Sequence, residues 1–310
     1  MRSFREKYVV NTLPPYMQDS DLGPVVEAYD NKADRSWGCM AGWWLVVLIG
    51  LGLSIANIFT STEGYAKLTL VEQIAPFALV VVGIIVHFVL LSRFHTCQRI
   101  FVCQRGVQWD KYNRRSGRIV QSRTVYWEQV DNVVSKKTRR YTSSSKNNDD
   151  VREDRYQRTI RTLEMNAPHG ATLLRLTGKY SNEHDQEELF TWIWFAVKAV
   201  ELQWACVQLP QLIHRVHEEG QLVMPVKGSH ALCLTPETIS YKDKTINATN
   251  LVMRWRAKDE SLGLRDDSEK RNMVQKLLNL KELSIPVSTM PNGCLVQPLI
   301  LQLYGVQIST

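Results

Sequence analysis

Two uncharged apolar runs, Gly38–Phe59 (22 residues) and Gln73–Ser92 (20 residues), lie 13 residues apart near the start of this 310-residue chain. At about 1.5 Å per helical residue each can cross a hydrocarbon core about 30 Å thick. The expected fold is therefore that of an integral membrane protein with an N-terminal two-helix transmembrane hairpin over 37–93, its helices at about 38–59 and 73–92. Residues 1–36, polar and broken by Pro14, Pro15 and Pro24, read as a flexible tail. Interfacial aromatics fit the same reading, since Trp37, Trp43 and Trp44 fall at the start of the first run.

Charge orients the hairpin. Residues 1–36 and the connection 60–72 each carry a formal charge of −1, whereas 93–140 hold twelve Lys/Arg against Asp110, Glu128 and Asp131. From residue 141 to the end the signs balance at twenty each, so the whole excess of positive charge sits in the 48 residues after the second run. Lys and Arg flanking a span are retained in the cytoplasm, which predicts both termini cytosolic and an integral membrane location. Six cysteines without CxxC or zinc-finger spacing read as free thiols. Cys97, five residues past the second run, is a candidate for acylation, with a small half-buried residue as the competing reading.

After Arg93 the pattern changes to short alternating runs separated by turns, the signature of β structure. Ile100–Cys103, Val107–Trp109, Ile119–Trp127, Val130–Val134, Tyr156–Met165 and Ala171–Leu176 are predicted strands, with a mobile loop over 141–154. A helix follows over 185–219. Its first half is apolar nearly all round, but Lys198 and Glu201 argue for burial between domains over a third span. Beyond Gly220 the strand pattern returns: Leu232–Tyr241 parallels Phe101–Trp109 as an apolar strand, a tight turn and an alternating strand ending in an aromatic. Residues 258–283 read as charged and partly helical, and Leu295–Tyr304 as a closing helix.

Strands, a basic segment and then one helix is an order shared with pleckstrin-homology-like and GRAM-like folds. The hairpin Val102–Trp109, the ending Tyr126-Trp127-Glu128-Gln129-Val130, Gln211-Leu212-Ile213 before Gly220, and Ile285-Pro286 through Met290-Pro291-Asn292 together resemble an uncharacterised family of membrane-anchored proteins with tandem PH-like domains. The resemblance covers about 97–304 and implies mostly-β (α+β) tandem PH-like domains with C-terminal helices: domain 1 over 97–219, with its long helix 185–219, and domain 2 over 220–304. Lys244-Thr245-Ile246-Asn247 and the charged insertion after Arg256 depart from the pattern and leave the completeness of domain 2 open. The family carries no activity that transfers to named residues.

Nucleotide-binding, nucleophile-elbow and zinc-protease motifs are absent, so the chain reads as no enzyme, with no cofactor and no metal. His214 and His217 share a helix face with Glu218 and Glu219 but lack a third ligand in view. Leu13-Pro14-Pro15-Tyr16 has a form that a proline-reading groove accepts, and a plain tail explains it as well. The basic block is the strongest candidate for function, with the setting of topology and surface affinity alone as the competing reading. Arg114, Arg115 and Arg118 share one turn, while Lys136, Lys137, Arg139 and Arg140 end a strand; at one open end of a barrel they would hold an acidic lipid headgroup. Nucleic acid is not an expected partner, and no protein partner is legible. The leading expectation is a non-enzymatic membrane-anchored adaptor that binds acidic headgroups or a partner protein. The alternative is an oligomeric channel or transporter subunit with regulatory cytosolic domains.

Overall fold

A computed structural model describes residues 4–18, 20–33, 96–144, 153–180, 191–226, 228, 230–256, 260–266 and 282–308. Contacts divide the chain into two compact units, one of Met1–Tyr29, Ile100–Trp109 and Arg123–Thr310, the other of Asp30–Arg99 and Asp110–Ser122. The described residues are mostly β-sheet with few helices. Strands β1 (Val25–Asp30), β2 (Thr96–Cys103), β3 (Gly106–Asn113) and β4 (Ile119–Tyr126) form a four-stranded sheet in chain order and contribute residues to both units. Ahead of them, Pro15–Gln18 forms one helical turn, α1.

Everything that follows belongs to the first unit. Strands β5 (Asn132–Ser144), β6 (Glu153–Asn166) and β7 (Thr172–Tyr180) make an antiparallel sheet. Burial alternates with period two, as a sheet with one wet face requires. In β7, Leu174 and Leu176 are buried while Arg175, Thr177 and Lys179 are exposed. Helix α2 (Trp192–Glu219) closes the inner face through Ile193, Ala196, Val197, Val200 and Trp204, whose spacing of three and four places them on one stripe. A Val or Ile side chain of this stripe contributes about 1.5–3 kcal/mol when fully buried. Gly178 permits the approach, because a Cβ there would lie 2.5 Å from Cβ of Ile193.

The same series then repeats: four strands, three strands, one helix. Strands β8 (Leu222–Pro225), β9 (Ala231–Leu234), β10 (Thr238–Tyr241) and β11 (Lys244–Asn247) pair in the order β11-β10-β9-β8. Strands β12 (Leu251–Arg256), β13 (Ser261–Asp266) and β14 (Leu283–Ile285) form the next sheet, extended by the short β15 (Gln307–Ile308) in the order β14-β13-β12-β15, and helix α3 (Gly293–Tyr304) packs on α2. Lys244–Asn247 is strand β11, paired Tyr241↔Lys244 across a tight turn with Lys242 at φ 57°. The hairpin β9–β10 holds the same place in this series as β2–β3 in the first.

Asn292 joins the two series. It sits in the left-handed region at φ 56° just ahead of α3. Its Oδ1 accepts from Val133 N at 2.9 Å and from Trp204 Nε1 at 3.0 Å, its Nδ2 donates to Asp131 O at 3.2 Å, and its own N donates to Val133 O at 2.9 Å. One side chain thereby ties the start of β5, the middle of α2 and the start of α3. Trp204 is buried and lies 5.9 Å, ring to ring, from buried Trp127.

Several expectations are corrected. Among the described residues no helix is long and apolar enough to cross a membrane. The longest, α2, has 28 residues but carries Lys198, Glu201, Arg215, Glu218 and Glu219, and Pro210 removes a hydrogen-bond donor within it. Gly38–Phe59 and Gln73–Ser92 lie outside the described residues. The transmembrane hairpin over 37–93 is therefore not seen, and the fold class of a two-span integral membrane protein, its partnership with a membrane through two spans and its integral location with both termini cytosolic are withdrawn. The channel or transporter reading, which needs those spans, has nothing among the described residues to rest on.

The flexible tail is also corrected, since Val25–Asp30 is a strand and Tyr8, Met17, Leu22, Ala28 and Tyr29 are buried. Met17, Leu22 and Ala28 form one apolar cluster with Phe101 and Cys103, with Leu13 packed against it. The Leu13–Tyr16 motif is thus part of a packed segment that enters α1. Of the loop predicted over 141–154, residues 141–144 and 153–154 belong to β5 and β6, and the rest lies outside the described residues. Ser261–Asp266, placed in a partly helical stretch, is a strand because its Ser-Leu-Gly-Leu run is buried between β12 and β14.

Candidate functional site

The long hairpin β5–β6 decides where the basic block goes. Its register pairs Val134↔Glu164, Lys136↔Thr162, Thr138↔Ile160 and Arg140↔Arg158 on one face. Strand β7 extends these rows with Arg175 beside Glu164, Thr177 beside Thr162 and Lys179 beside Ile160. This is the outer face, turned away from α2: Lys136, Thr138, Arg140, Arg175, Thr177 and Lys179 are exposed, and Arg158, Ile160, Thr162 and Glu164 are half-buried. Among the described residues it carries five cations, Lys136, Arg140, Arg158, Arg175 and Lys179, against the single carboxylate of Glu164.

That carboxylate is committed elsewhere, since Glu164 Oε1 lies 2.9 Å from Nη2 of Arg175. It is six residues along β6 from Arg158, about 20 Å at strand rise. Arg140 and Arg158 therefore stand directly opposite one another, a pairing of like charges that destabilises a sheet. Nε of Arg158 is shut off from solvent with no hydrogen-bond partner among the described residues. Among the described residues no counter-ion on the face pairs with this guanidinium.

The alternate residues of β5 go inward. Lys137 pairs with Arg161 and Arg139 with Thr159 on the face toward α2, where Arg161 and Thr159 are buried. A register shift follows between Arg140 and Tyr141, and Tyr141 meets Tyr156 edge-on at 5.9 Å between ring centres. The Tyr156 hydroxyl lies 2.6 Å from Thr159 Oγ1. The block Lys136–Arg140, read in the sequence as the end of a strand, thus lies in the middle of one, with its charges divided between two faces.

Arg114, Arg115 and Arg118 belong to the second unit. They ride on a turn organised by Asn113, whose Oδ1 accepts from the backbone N of Arg115 and of Ser116, both at 3.0 Å, while Asn113 N donates to Arg118 O at 2.8 Å. Arg115 and Arg118 are exposed and Arg114 is half-buried. The same unit holds a polar core. Buried Asp110 receives Arg99 Nε at 3.1 Å and Ser122 Oγ at 2.7 Å, and the Tyr112 hydroxyl donates to Asp30 at 2.5 Å beneath the Arg99 guanidinium. Burial, then the Asp30 carboxylate, pushes the Tyr112 hydroxyl upward.

Cys97 lies in that unit and is buried; burial, followed by Asp30, pushes its thiol above the ordinary value. An enclosed thiol held protonated is a poor acyl acceptor. His214, the other sequence candidate with ligand chemistry, places Nε2 3.1 Å from Glu218 Oε2 on the exposed end of α2. Among the described residues no group of three or more His, Cys, Asp or Glu is arranged to hold a metal ion.

A cleft of about 450 Å³ opens between α2 and α3. Leu202 and Trp255 on its lining are well exposed, and buried Glu201 receives Lys198 Nζ at 2.5 Å. Burial, then the Glu201 carboxylate, pushes the Cys294 thiol up. Its walls carry charges of both signs, Arg161 and Lys198 against Glu201 and Glu260, so the cleft selects no ligand charge.

Arg158, Arg175 and Lys179 are the residues that the sequence reading did not select. The available signal was spacing: Arg158 and Arg175 each fall on the outward parity of a predicted strand, but only the register places them beside Lys136 and Arg140. No family model matches the chain, and no curated protein or solved structure matches it either.

Proposed function

We propose that the chain carries two PH-like units in tandem and is a non-enzymatic binding module for acidic lipid headgroups, engaged through the outer face of β5, β6 and β7. The observation that carries this reading is the charge of that face, five cations with one carboxylate already paired. An open sheet gives long Lys and Arg side chains access to a surface of anions, and each such residue near an anionic surface contributes about 1 kcal/mol. Three threonines, Thr138, Thr162 and Thr177, add hydroxyl donors between the charges. The described face bears no aromatic side chain on which bases could stack, and this favours headgroups over single-stranded nucleic acid.

Vesicle co-sedimentation of the purified full chain tests the proposal. Phosphatidylcholine vesicles containing phosphatidylserine should retain the protein, and retention should fall as salt rises from 0.1 M, where screening reaches over about 10 Å, to 1 M, where it acts within about 3 Å. A Lys136→Gln/Arg140→Gln/Lys179→Gln variant should lose most of this retention. Equal retention of wild type and variant on neutral and anionic vesicles would sink the proposal.

A further inference from the structure

Arg140 and Arg158 mark a place on the outer face where charge is concentrated without a compensating carboxylate among the described residues. They are directly opposite in register, on the last row before the shift at Arg140/Tyr141. An irregularity of this kind bends a strand and re-aims its side chains. In the neighbouring row stand Thr138 and, across Ile160, Lys179. Diagonal neighbours on a sheet are about 7–8 Å apart, within reach of side chains this long. Glu164, the one carboxylate of the face among the described residues, is three rows away and holds Arg175.

We infer that Arg140 and Arg158, with Lys179 and the Thr138 hydroxyl beside them, form a subsite for a phosphomonoester dianion. The inference rests on the proposed headgroup-binding role of this face and narrows it to one chemistry. A guanidinium presents paired N–H groups that grip two oxygens at once. Two guanidinium forks and an ammonium supply three positive charges and more donors than a carboxylate or a phosphodiester can accept. A phosphomonoester carries about −1.5 to −2 charges and three terminal oxygens, which match that set. Arg158 is already held by packing, with its Nε enclosed, so part of the ordering cost of binding is met in the fold.

The source of the dianion, lipid headgroup or free ester, is separated by the arms of one experiment. The purified full chain is titrated with phosphatidylcholine vesicles matched for surface charge by phosphatidate or by phosphatidylserine, and separately with glycerol 3-phosphate in solution. The half-saturating lipid concentration should be at least tenfold lower for phosphatidate vesicles. Arg140→Gln and Arg158→Gln should each abolish that preference, and Arg158→Lys, which keeps the charge but not the fork, should not retain it. Lys136→Gln, two rows away, should weaken binding to both vesicle types alike. Thermal unfolding midpoints identify any variant that has lost its fold, and the Arg158→Lys variant then carries the comparison.

Equal affinity for the two matched vesicles, together with no binding of glycerol 3-phosphate, overturns the dianion subsite and leaves the general anionic reading standing. Retention on no anionic vesicle overturns both. A phosphatidate preference that survives in Arg140→Gln and Arg158→Gln overturns the assignment to these residues. Binding of glycerol 3-phosphate without a phosphatidate preference supports the dianion and overturns the lipid as its source.

Discussion

Gly263 in β13 shows how one missing side chain fixes another. The Glu282 carboxylate lies over it, so that a Cβ at 263 would come 1.8 Å from Glu282 Oε1, while Oε2 accepts from Arg256 at 2.8 Å. Glu282 is 8% exposed, and its Oε1 has no hydrogen-bond partner among the described residues. Gly263→Ala must push this side-chain end aside and loosen its pairing with Arg256, a change of the kind that costs about 1–3 kcal/mol. Urea unfolding should show a lower midpoint for this variant with an unchanged slope. Glu282→Gln, which removes the charge and keeps the shape, should cost less than Gly263→Ala.

Cysteine reactivity separates enclosed from open positions at the same scale. Burial pushes the Cys103 thiol up to about 11, and Cys97 is raised as well, whereas Cys206 is exposed on α2. Thiolate is the species that reacts with alkylating reagents. Brief iodoacetamide treatment at pH 8 followed by peptide mass analysis should label Cys206 ahead of Cys97 and Cys103. Labelling of Cys97 as fast as that of Cys206 would contradict the enclosed site described for it. Because the folded-state value of Cys103 lies above its unfolded value, its contribution to stability is complete below the unfolded value and is lost as pH rises through about 11.

At the scale of elements, β1 and the segment before it behave as a lid on the apolar cluster of Met17, Leu22, Ala28, Phe101 and Cys103. Leu22 is 1% exposed, and a Leu→Ala change at such a site costs about 2–5 kcal/mol. Leu22→Ala should lower the unfolding midpoint and speed Cys103 alkylation at pH 8, since the cavity it leaves adjoins that thiol's cluster. A tail without tertiary contacts would show neither effect.

Why β1 escaped the sequence reading is plain from its residues. Val25-Val26-Glu27-Ala28-Tyr29-Asp30 has no clean alternation, follows Pro24, and pairs with a strand about seventy residues later. Strands β3, β4, β6 and β7 were legible because alternating runs bounded by Gly106, Gly117, Pro168 and Gly170 lie together in the sequence. The basic block was legible as charge and illegible as a surface. Parity along β5 sends Lys136 and Arg140 outward and Lys137 and Arg139 inward, and only pairing with β6 and β7 supplies Arg158, Arg175 and Lys179.

At the scale of the molecule, the series of four strands, three strands and a helix occurs twice, and within the first unit the two occurrences meet through buried groups. Trp204 of α2 and the backbone of β5 both bond to Asn292 at the start of α3. Each net hydrogen bond is worth about 1 kcal/mol, and a buried donor left without a partner costs about 1–3 kcal/mol more. Asn also tolerates the left-handed backbone that this position adopts. Asn292→Ala removes the side-chain bonds and adds backbone strain, whereas Asn292→Gly removes the bonds alone. If these bonds couple the two series, wild type should protect the amides of β6 and of β13 with the same opening free energy in native-state hydrogen exchange, as parts of one cooperative unit do. Asn292→Gly should lower both values, and β13 further than β6, because β6 retains its packing against α2 through Gly178 and Ile193. Unequal protection already in wild type would show that the second series opens by itself and that Asn292 is a local cap on α3.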